Sequence, residues 1–148
     1  MRRYLHLIVV MAVMAGAGYA RTGRTEQIEQ SPYPVTEDDR AYFAAIQDAI
    51  QHDKRDWLAD QVLFPQNTGS IDGKRLRIES KQQFLRHYAS IINAYVRTSV
   101  REQKPSQMFK NGRGIMIGDG ALWIVELGVD EDKPFQYYIS TINNMPPR

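Results

Sequence analysis

The side chains that could act as acids or bases are scattered along this 148-residue sequence. Asp60 follows Trp57 at the end of a short predicted helix and is the best single candidate acid, although an acid in such a position is usually solvated. His87 lies among apolar residues of a longer helix, and its alternative interpretation is a half-exposed histidine on a polar face. His52 falls at a predicted helix C-terminus, where the helix dipole favours an imidazolium.

Motifs for metal, thiol or nucleotide chemistry are absent from the sequence. It contains no cysteine, no HExxH-like motif and no cluster of histidines and carboxylates, so we predict no metal site and no cofactor. Gly112-Arg113-Gly114 and Gly118-Asp119-Gly120 do not open a helix after a strand, and they are expected to be turn glycines rather than phosphate loops. We therefore predict no catalytic residue.

Aromatic residues and arginines provide the candidate binding residues. One acid and five aromatic side chains could line a ligand pocket, or the aromatic ones could simply fill the core: Tyr42, Trp57, Asp60, Tyr88, Tyr95 and Trp123. A basic run between Arg97 and Arg113, which includes Arg101, is either a solvated face or a surface for an acidic partner.

The first twenty residues are predicted to be a signal peptide. Arg2 and Arg3 precede an apolar segment of about a dozen residues, too short to span a bilayer, and small residues at 15–17 or 18–20 offer a cleavage site. The alternative is an uncleaved membrane anchor. The chain has 19 Lys and Arg, two of which are Arg2 and Arg3, against 17 Asp and Glu, so the mature protein is neutral. A neutral domain has no general electrostatic footprint for nucleic acid.

One hairpin organises the elements that must position these side chains. An Asp119-Gly120 pair separates β-type apolar runs at 115–117 and 122–125, which predicts a two-residue turn. That turn places three residue pairs opposite each other: Ile117 and Leu122, Met116 and Trp123, Ile115 and Ile124. Both faces of the hairpin are therefore apolar, and both need to be covered.

We assign one hairpin face to the helices, because nearby Gly114, Gly118 and Ala121 leave room for a bulky ring and for close helix approach. This face carries Met116, Trp123, Val125 and Leu127. The opposite face is then exposed and becomes the candidate partner surface: Ile115, Ile117, Leu122 and Ile124. A two-fold homodimer would cover it most simply, and the alternative cover is the leader or the tail.

The remaining elements follow from periodicity and caps. A flexible leader (21–35) precedes a single domain (36–144) and a frayed tail (145–148). Helical spacing predicts a first helix opening at Thr36, a short helix capped by Asp53, and a long helix from a Ser80–Gln83 capping box to Tyr95. A shorter helical stretch follows it. Outside the hairpin, strands are predicted at 62–64, 74–79 and 135–143.

This order resembles the nuclear transport factor 2-like (SnoaL-like) cone-fold superfamily. The similarity covers residues 36–144, and its segments are YFAAIQDAI, RIESKQQFLRHYASII, MFKNGRGIMIGDGALWI and a last strand ending YYISTINN. It is strongest to small exported bacterial members, which mostly lack an assigned function. The resemblance implies an α+β fold with three to four helices on the concave face of a cone-shaped, curved antiparallel sheet.

The resemblance does not by itself give a function. Enzymes of the superfamily work from inside the cone with a carboxylate or a His–Asp pair, whereas the corresponding helix faces here are apolar or phenolic. We therefore expect a periplasmic or secreted, non-enzymatic domain that binds a small apolar ligand or a protein partner, without a membrane anchor after signal removal. The alternative is an immunity protein against an envelope-delivered toxin, and an isomerase- or dehydratase-like enzyme comes third.

Overall fold

The structure is a computed structural model that describes residues 33–67, 70–71, 73–128 and 134–147. The predicted signal peptide and the leader up to residue 32 lie outside the described residues. Within them the chain forms helices α1 (Glu37–Gln51), α2 (Arg55–Asp60), α3 (Lys81–Arg86), α4 (Tyr88–Ile91) and α5 (Ala94–Glu102). A single 3₁₀ turn (Pro105–Gln107) follows α5.

Six strands complete the described fold. Strands β1 (Gln66–Asn67) and β2 (Arg77–Ile78) form a small antiparallel pair. Strands β3 (Phe109–Asn111), β4 (Gly114–Ile117), β5 (Leu122–Leu127) and β6 (Gln136–Ile142) form an antiparallel sheet in the order β3-β4-β5-β6. The predicted α+β class with an antiparallel sheet is confirmed.

The start of α1 matches its predicted cap. The Thr36 hydroxyl accepts a hydrogen bond from the Asp39 N–H, and the Asp39 carboxylate accepts one from the Thr36 N–H. This reciprocal pair satisfies two of the backbone donors that a helix N-terminus leaves free. The capping role of Asp53 was wrong, because α2 begins after Lys54 and has no side-chain cap. Asp53 instead has a positive φ of 55°.

The long helix predicted from residue 80 to Tyr95 is broken into α3, α4 and the start of α5, and α5 also contains the shorter helical stretch predicted after it. The backbone leaves helical geometry at His87 and again at Ile92, whose ψ is 59°. The Asn93 carboxamide then accepts a hydrogen bond from the Val96 N–H and caps α5. Asparagine favours a cap over a helix interior, because its side chain competes for backbone groups. The Ser80 capping box is half formed, since the Gln83 side chain binds the Glu79 N–H instead of the Ser80 N–H.

The two short predicted strands are also smaller than their sequence patterns suggested. Val62 makes one parallel bridge to Ile139, and the strand at 62–64 is replaced by β1, which follows it. Gln66 is buried, and its Nε2 donates to the carbonyls of Leu63, Ile139 and Ser140. Of the strand predicted at 74–79, Arg77–Ile78 forms β2, and Lys74 makes a single isolated bridge to Ile71. A side-chain clamp therefore replaces part of the expected backbone ladder.

The central hairpin has the predicted register. Ile115, Met116 and Ile117 pair with Ile124, Trp123 and Leu122. Asp119 and Gly120 have φ values of 53° and 91°, as a two-residue turn between twisted strands requires. The Ala121 N–H closes the turn on the Gly118 carbonyl at 3.1 Å.

The assignment of the two hairpin faces was wrong. The four aliphatic residues expected outside are at most 1% exposed and belong to the core: Ile115, Ile117, Leu122 and Ile124. The prediction used Gly114 as evidence for close approach of a helix. In the structure, a Cβ on Gly114 would collide with the Ile124 carbonyl of the neighbouring strand, so the glycine is needed for close approach of a strand. Met116 and Trp123 lie on the opposite face and are half-buried.

One hydrophobic cluster joins the helices to the sheet. Its largest fully buried side chains include Phe43, Ile46, Phe84 and Tyr88 from the helices, together with the aliphatic face of the hairpin. Ile139 and Ile142 extend that sheet face onto β6. We call this buried side of the four-stranded sheet the inner sheet face, and we call its opposite side the outward sheet face.

Candidate functional site

The predicted ligand-pocket residues do not converge on one cavity. Tyr42 stacks on Tyr137 with ring centroids 4.9 Å apart, whereas Tyr95 lines an open cleft of about 600 Å³ between α5 and the hairpin turn. Trp57 packs against the core. Trp123 belongs to the outward sheet face, on the side of the sheet away from Tyr42.

Asp60 and Tyr88 have different environments. The Asp60 carboxylate is exposed and forms an ion pair with Lys81 at 2.5 Å, which matches the solvated alternative. Tyr88 is 1% exposed, and the guanidinium groups of Arg55 and Arg97 lie 5.0 and 5.6 Å from its ring centroid. Its hydroxyl has no hydrogen-bond partner in the described part of the chain, and burial raises its pKa. Tyr88 therefore fills the core.

Both histidines of the described residues, His52 and His87, lie at helix ends. His52 is the C-cap of α1, and its Nδ1 lies 2.8 Å from the Asp48 carboxylate. His87 is half-buried at the junction of α3 and α4. Among the described residues, no group of three histidine, aspartate or glutamate side chains could hold a metal ion. None of the described helices has the length and apolar composition of a membrane span.

The arginines predicted for an acidic partner are used differently from each other. Arg97 donates to the carbonyls of Ile50 and Ile92 and to the Asp53 carboxylate, so it joins the ends of α1 and α4 to the loop before α2. Arg101 is exposed, and it borders together with Arg97 a cleft of about 330 Å³. Because the charge of Arg97 is matched within the chain, these two residues do not form a free basic surface.

A buried polar network that the sequence reasoning missed joins α1 to the inner sheet face. Asp39 is 0% exposed, and Lys110 on β3 contacts both of its carboxylate oxygens at 2.9 and 3.0 Å. The Tyr137 hydroxyl on β6 donates to Asp39 Oδ1 at 2.8 Å. Lys110 also donates to Glu126 on β5 at 2.7 Å.

The network favours the charged form of its acid and its base. Burial alone would raise the pKa of Asp39, but hydrogen bonds from the Thr36 N–H, Lys110 and Tyr137 hold that pKa below its ordinary value. Burial alone would lower the pKa of Lys110, but its bonds to Glu126 and Asp39 raise it. Burial and the bond to Asp39 raise the pKa of Tyr137, so the phenol stays neutral.

These contacts determine what the network can do chemically. Each Asp39 oxygen accepts two hydrogen bonds, and the Lys110 ammonium donates to both carboxylates. An aspartate whose pKa is lowered and a lysine whose pKa is raised are poorly matched to proton transfer near neutral pH. We interpret the network as a link between α1 and three strands. A cleft of about 320 Å³ lies beside it, bordered by Tyr33, Lys110, Arg113, Glu126 and Leu127.

A sequence signal for Asp39 did exist. Asp39 lies four residues before Phe43 and seven before Ile46, so it shares the buried stripe of α1. An acid on an apolar stripe requires a buried partner. The capping motif from Thr36 to Asp39 offered a sufficient explanation for the same residue and concealed the second role.

The outward sheet face is the remaining candidate site. Alternation along the four strands and the bulge at Ser140 place ten residues on it: Phe109, Asn111, Gly114, Met116, Trp123, Val125, Leu127, Gln136, Tyr138 and Thr141. Not one of these ten is charged. Phe109 and Leu127 are 48% and 42% exposed. The charged residues of the same strands, Lys110 and Glu126, bind each other on the inner side.

Comparison with known proteins does not add an identity. No protein-family model matches the chain, and neither a curated protein nor a solved structure matches it at a significant level. The polar network and the outward sheet face are therefore the features of the described residues that bear on function.

Proposed function

We propose that this protein is an exported, non-enzymatic binding domain whose partner is a protein that docks on the outward sheet face. The observation that carries the proposal is the uncharged, aromatic-rich surface on the side of the sheet away from the helices. Interface cores are depleted in charged residues and enriched in Tyr, Trp, Phe and Met. The outward sheet face has this composition in Phe109, Met116, Trp123 and Tyr138.

A protein partner fits the described residues better than a small apolar ligand. An apolar carrier needs a cavity lined by convergent apolar side chains. Here the space between the inner sheet face and the helices is filled by side chains such as Phe43, Phe84 and Ile117, each 0% exposed. The aromatic candidates that could have lined such a cavity are dispersed.

The absence of enzymatic activity is part of the same proposal. It is supported by the polar network, in which the buried acid and base are bound to each other, and by Asp60, which pairs with Lys81 in solvent. Export is supported by the composition of the first twenty residues. The cone-shaped sheet and the nuclear transport factor 2-like relationship also remain proposals, supported by the order of the helices before the four-stranded sheet.

Site-specific photo-crosslinking in cells would test the proposal. A benzophenone amino acid replaces Phe109 or Tyr138 on the outward sheet face, and Tyr95 on α5 as a matched aromatic control on the helical side. We expect the two positions on the face to form adducts with a protein and the Tyr95 position to form none. Absence of adducts at the face, or equal adducts at Tyr95, would contradict the proposed role.

The composition of an adduct would separate the classes of partner. An adduct that contains a secreted toxin would favour the immunity alternative. N-terminal sequencing of the same periplasmic protein should begin near Gly18 or Arg21 if the signal peptide is removed.

A further inference from the structure

We infer that the cleft between α5 and the hairpin turn is a binding site for a neutral saccharide. Its volume of about 600 Å³ exceeds that of the clefts beside Arg101 and beside Lys110. Ligand sites typically enclose about 300 to 1,000 Å³. None of its described lining residues belongs to the polar network or to the outward sheet face, so the inference is independent of the proposed protein partner.

A polar stripe of α5 forms one wall of this cleft. Tyr95, Thr98, Ser99 and Glu102 recur at intervals of three and four residues, so they share one side of the helix. The apolar side of the same helix is buried in the core. Packing of that side therefore holds the helix in place while a phenol ring, two hydroxyl groups and a carboxylate border the cleft.

The junction between α5 and the turn is fixed by contacts within the chain. A Cβ on Gly118 would lie 2.5 Å from the Ser99 Cβ, so the turn touches the helix directly. The Gly118 N–H donates to Gln103 Oε1 at 3.0 Å. The Gln47 side chain of α1 donates to the Val100 and Gln103 carbonyls at the end of α5. Such a preformed site needs little ordering when a ligand binds.

Several polar groups of the cleft are available to a ligand. Within the described part of the chain, no hydrogen bond uses the Tyr95 hydroxyl, the Ser99 hydroxyl, the Gln107 carboxamide or the Asp119 carboxylate. Hydroxyl and carboxamide groups donate and accept hydrogen bonds, and a carboxylate accepts them. Sugar hydroxyls also donate and accept, so one saccharide can satisfy this mixed set. The apolar face of a pyranose ring can pack on the half-buried Tyr95 ring.

The charges of the cleft argue against an ionic ligand. Glu102 and Asp119 are the charged residues among the described lining residues, so an anion such as phosphate would be repelled. The Glu102 carboxylate is 70% exposed and lies 3.7 Å from the Arg101 guanidinium. Exposed ion pairs contribute little, so an ammonium ligand would gain little from Glu102. An ammonium group also offers no acceptor for the amide hydrogens of Gln107.

Titration of isotope-labelled mature protein, followed by the amide signals in NMR spectra, tests the inference. Tetra-N-acetylchitotetraose and cellotetraose are the neutral probes, spermidine is the cationic probe and inorganic phosphate is the anionic probe. We expect a neutral probe to shift the signals of Ser99, Gln103 and Gly118 with a dissociation constant of about 1 mM, because water competes for polar groups in an open cleft. No shift with either sugar at about 10 mM would overturn the inference. Tighter binding of spermidine or phosphate at these residues would also overturn it.

Substitutions test whether the cleft itself binds the sugar. Tyr95→Ala removes the ring and should weaken binding about tenfold. Asp119→Asn keeps a residue that tolerates the positive φ of the turn, and Ser99→Ala removes one hydroxyl without added volume. Each of these two should weaken binding about threefold to tenfold, and they decide the test if Tyr95→Ala does not fold by circular dichroism.

Tyr138→Ala is the matched aromatic control, because Tyr138 lies on the outward sheet face. It should leave the dissociation constant of the sugar unchanged. Sugar binding that survives the folded cleft variants, or that is lost equally in Tyr138→Ala, would overturn the inference, because the sugar would then occupy another surface.

Discussion

The two faces of the four-stranded sheet are both apolar, but they treat charge in opposite ways. The inner sheet face includes Lys110 and Glu126 and neutralises them with each other and with the buried Asp39 of α1. The outward sheet face contains no charged residue at its ten positions. A charged residue can lie beside the core when its ion-pair partners belong to the same chain, because folding fixes their geometry. A surface that binds a separate molecule is easier to match when it carries no charged residue.

The largest expected effect comes from adding the same charge to each face. Ile117→Lys places an ammonium in the core without a partner, and we expect it to lower the free energy of unfolding by more than about 4 kcal/mol. Leu127→Lys adds the charge at an outward position that is 42% exposed, and the change should stay within about 0.5 kcal/mol. Urea denaturation of dilute protein, followed by tryptophan fluorescence, measures both. Similar losses in the two variants would mean that the face assignment is incorrect.

The second largest effect is the loss of stability expected when the buried Asp39 carboxylate beside the inner sheet face is replaced. Asp39→Asn removes a buried carboxylate that Lys110 binds, and we expect the free energy of unfolding to fall by about 3 kcal/mol at neutral pH. Asp38→Asn is the matched control, because Asp38 is the exposed neighbour in the same first turn of α1. It should change stability by about 0.5 kcal/mol or less. Equal effects of the two variants would show that Asp39 acts only through the helix terminus.

The pH dependence of the same pair of proteins tests the origin of that loss. The pKa of Asp39 is lower in the folded state than its ordinary value of about 3.9, so its stabilisation is fully present above that value. It is lost as the pH falls through the folded-state pKa. The stability difference between wild type and Asp39→Asn should therefore shrink below about pH 4, by about 1.4 kcal/mol for each unit of pKa shift. A constant difference from pH 7 to pH 3 would contradict this account.

The smallest expected effect is a difference in stability between alanine substitutions at the two glycines of the hairpin turn. Gly118 and Gly120 both have positive φ, but a Cβ on Gly118 would lie 2.5 Å from the Ser99 Cβ on α5. Among the described residues, the nearest atom to a Cβ on Gly120 is the Trp123 indole nitrogen, at 3.8 Å. Gly120→Ala should cost about 1 kcal/mol through its backbone alone, and Gly118→Ala about 2 kcal/mol or more. Thermal unfolding measures both. A larger loss for Gly120→Ala would mean that α5 does not restrict the turn.

Local signals predicted the local structure of this chain. The Asp119-Gly120 turn with its strand register, the Thr36 cap and the last strand are all set by interactions between residues that are close in sequence or directly paired. Where local signals conflicted, prediction failed. The apolar stripe from Phe84 to Tyr95 suggested one helix, but Asn93 caps a new one, and this side-chain hydrogen bond outweighs the periodicity.

The sequence by itself determined that both faces of the hairpin would be apolar, but not which face the helices would cover. Alternation fixes which residues share a face and is symmetric between the two sides. Only the tertiary structure distinguished them, because Asp39 on the buried stripe of α1 meets Lys110 and Tyr137 across the inner sheet face. These partners are 71 and 98 residues from Asp39 in sequence. A buried charge requires partners that are close in space, and a local sequence pattern does not identify partners that are distant in sequence.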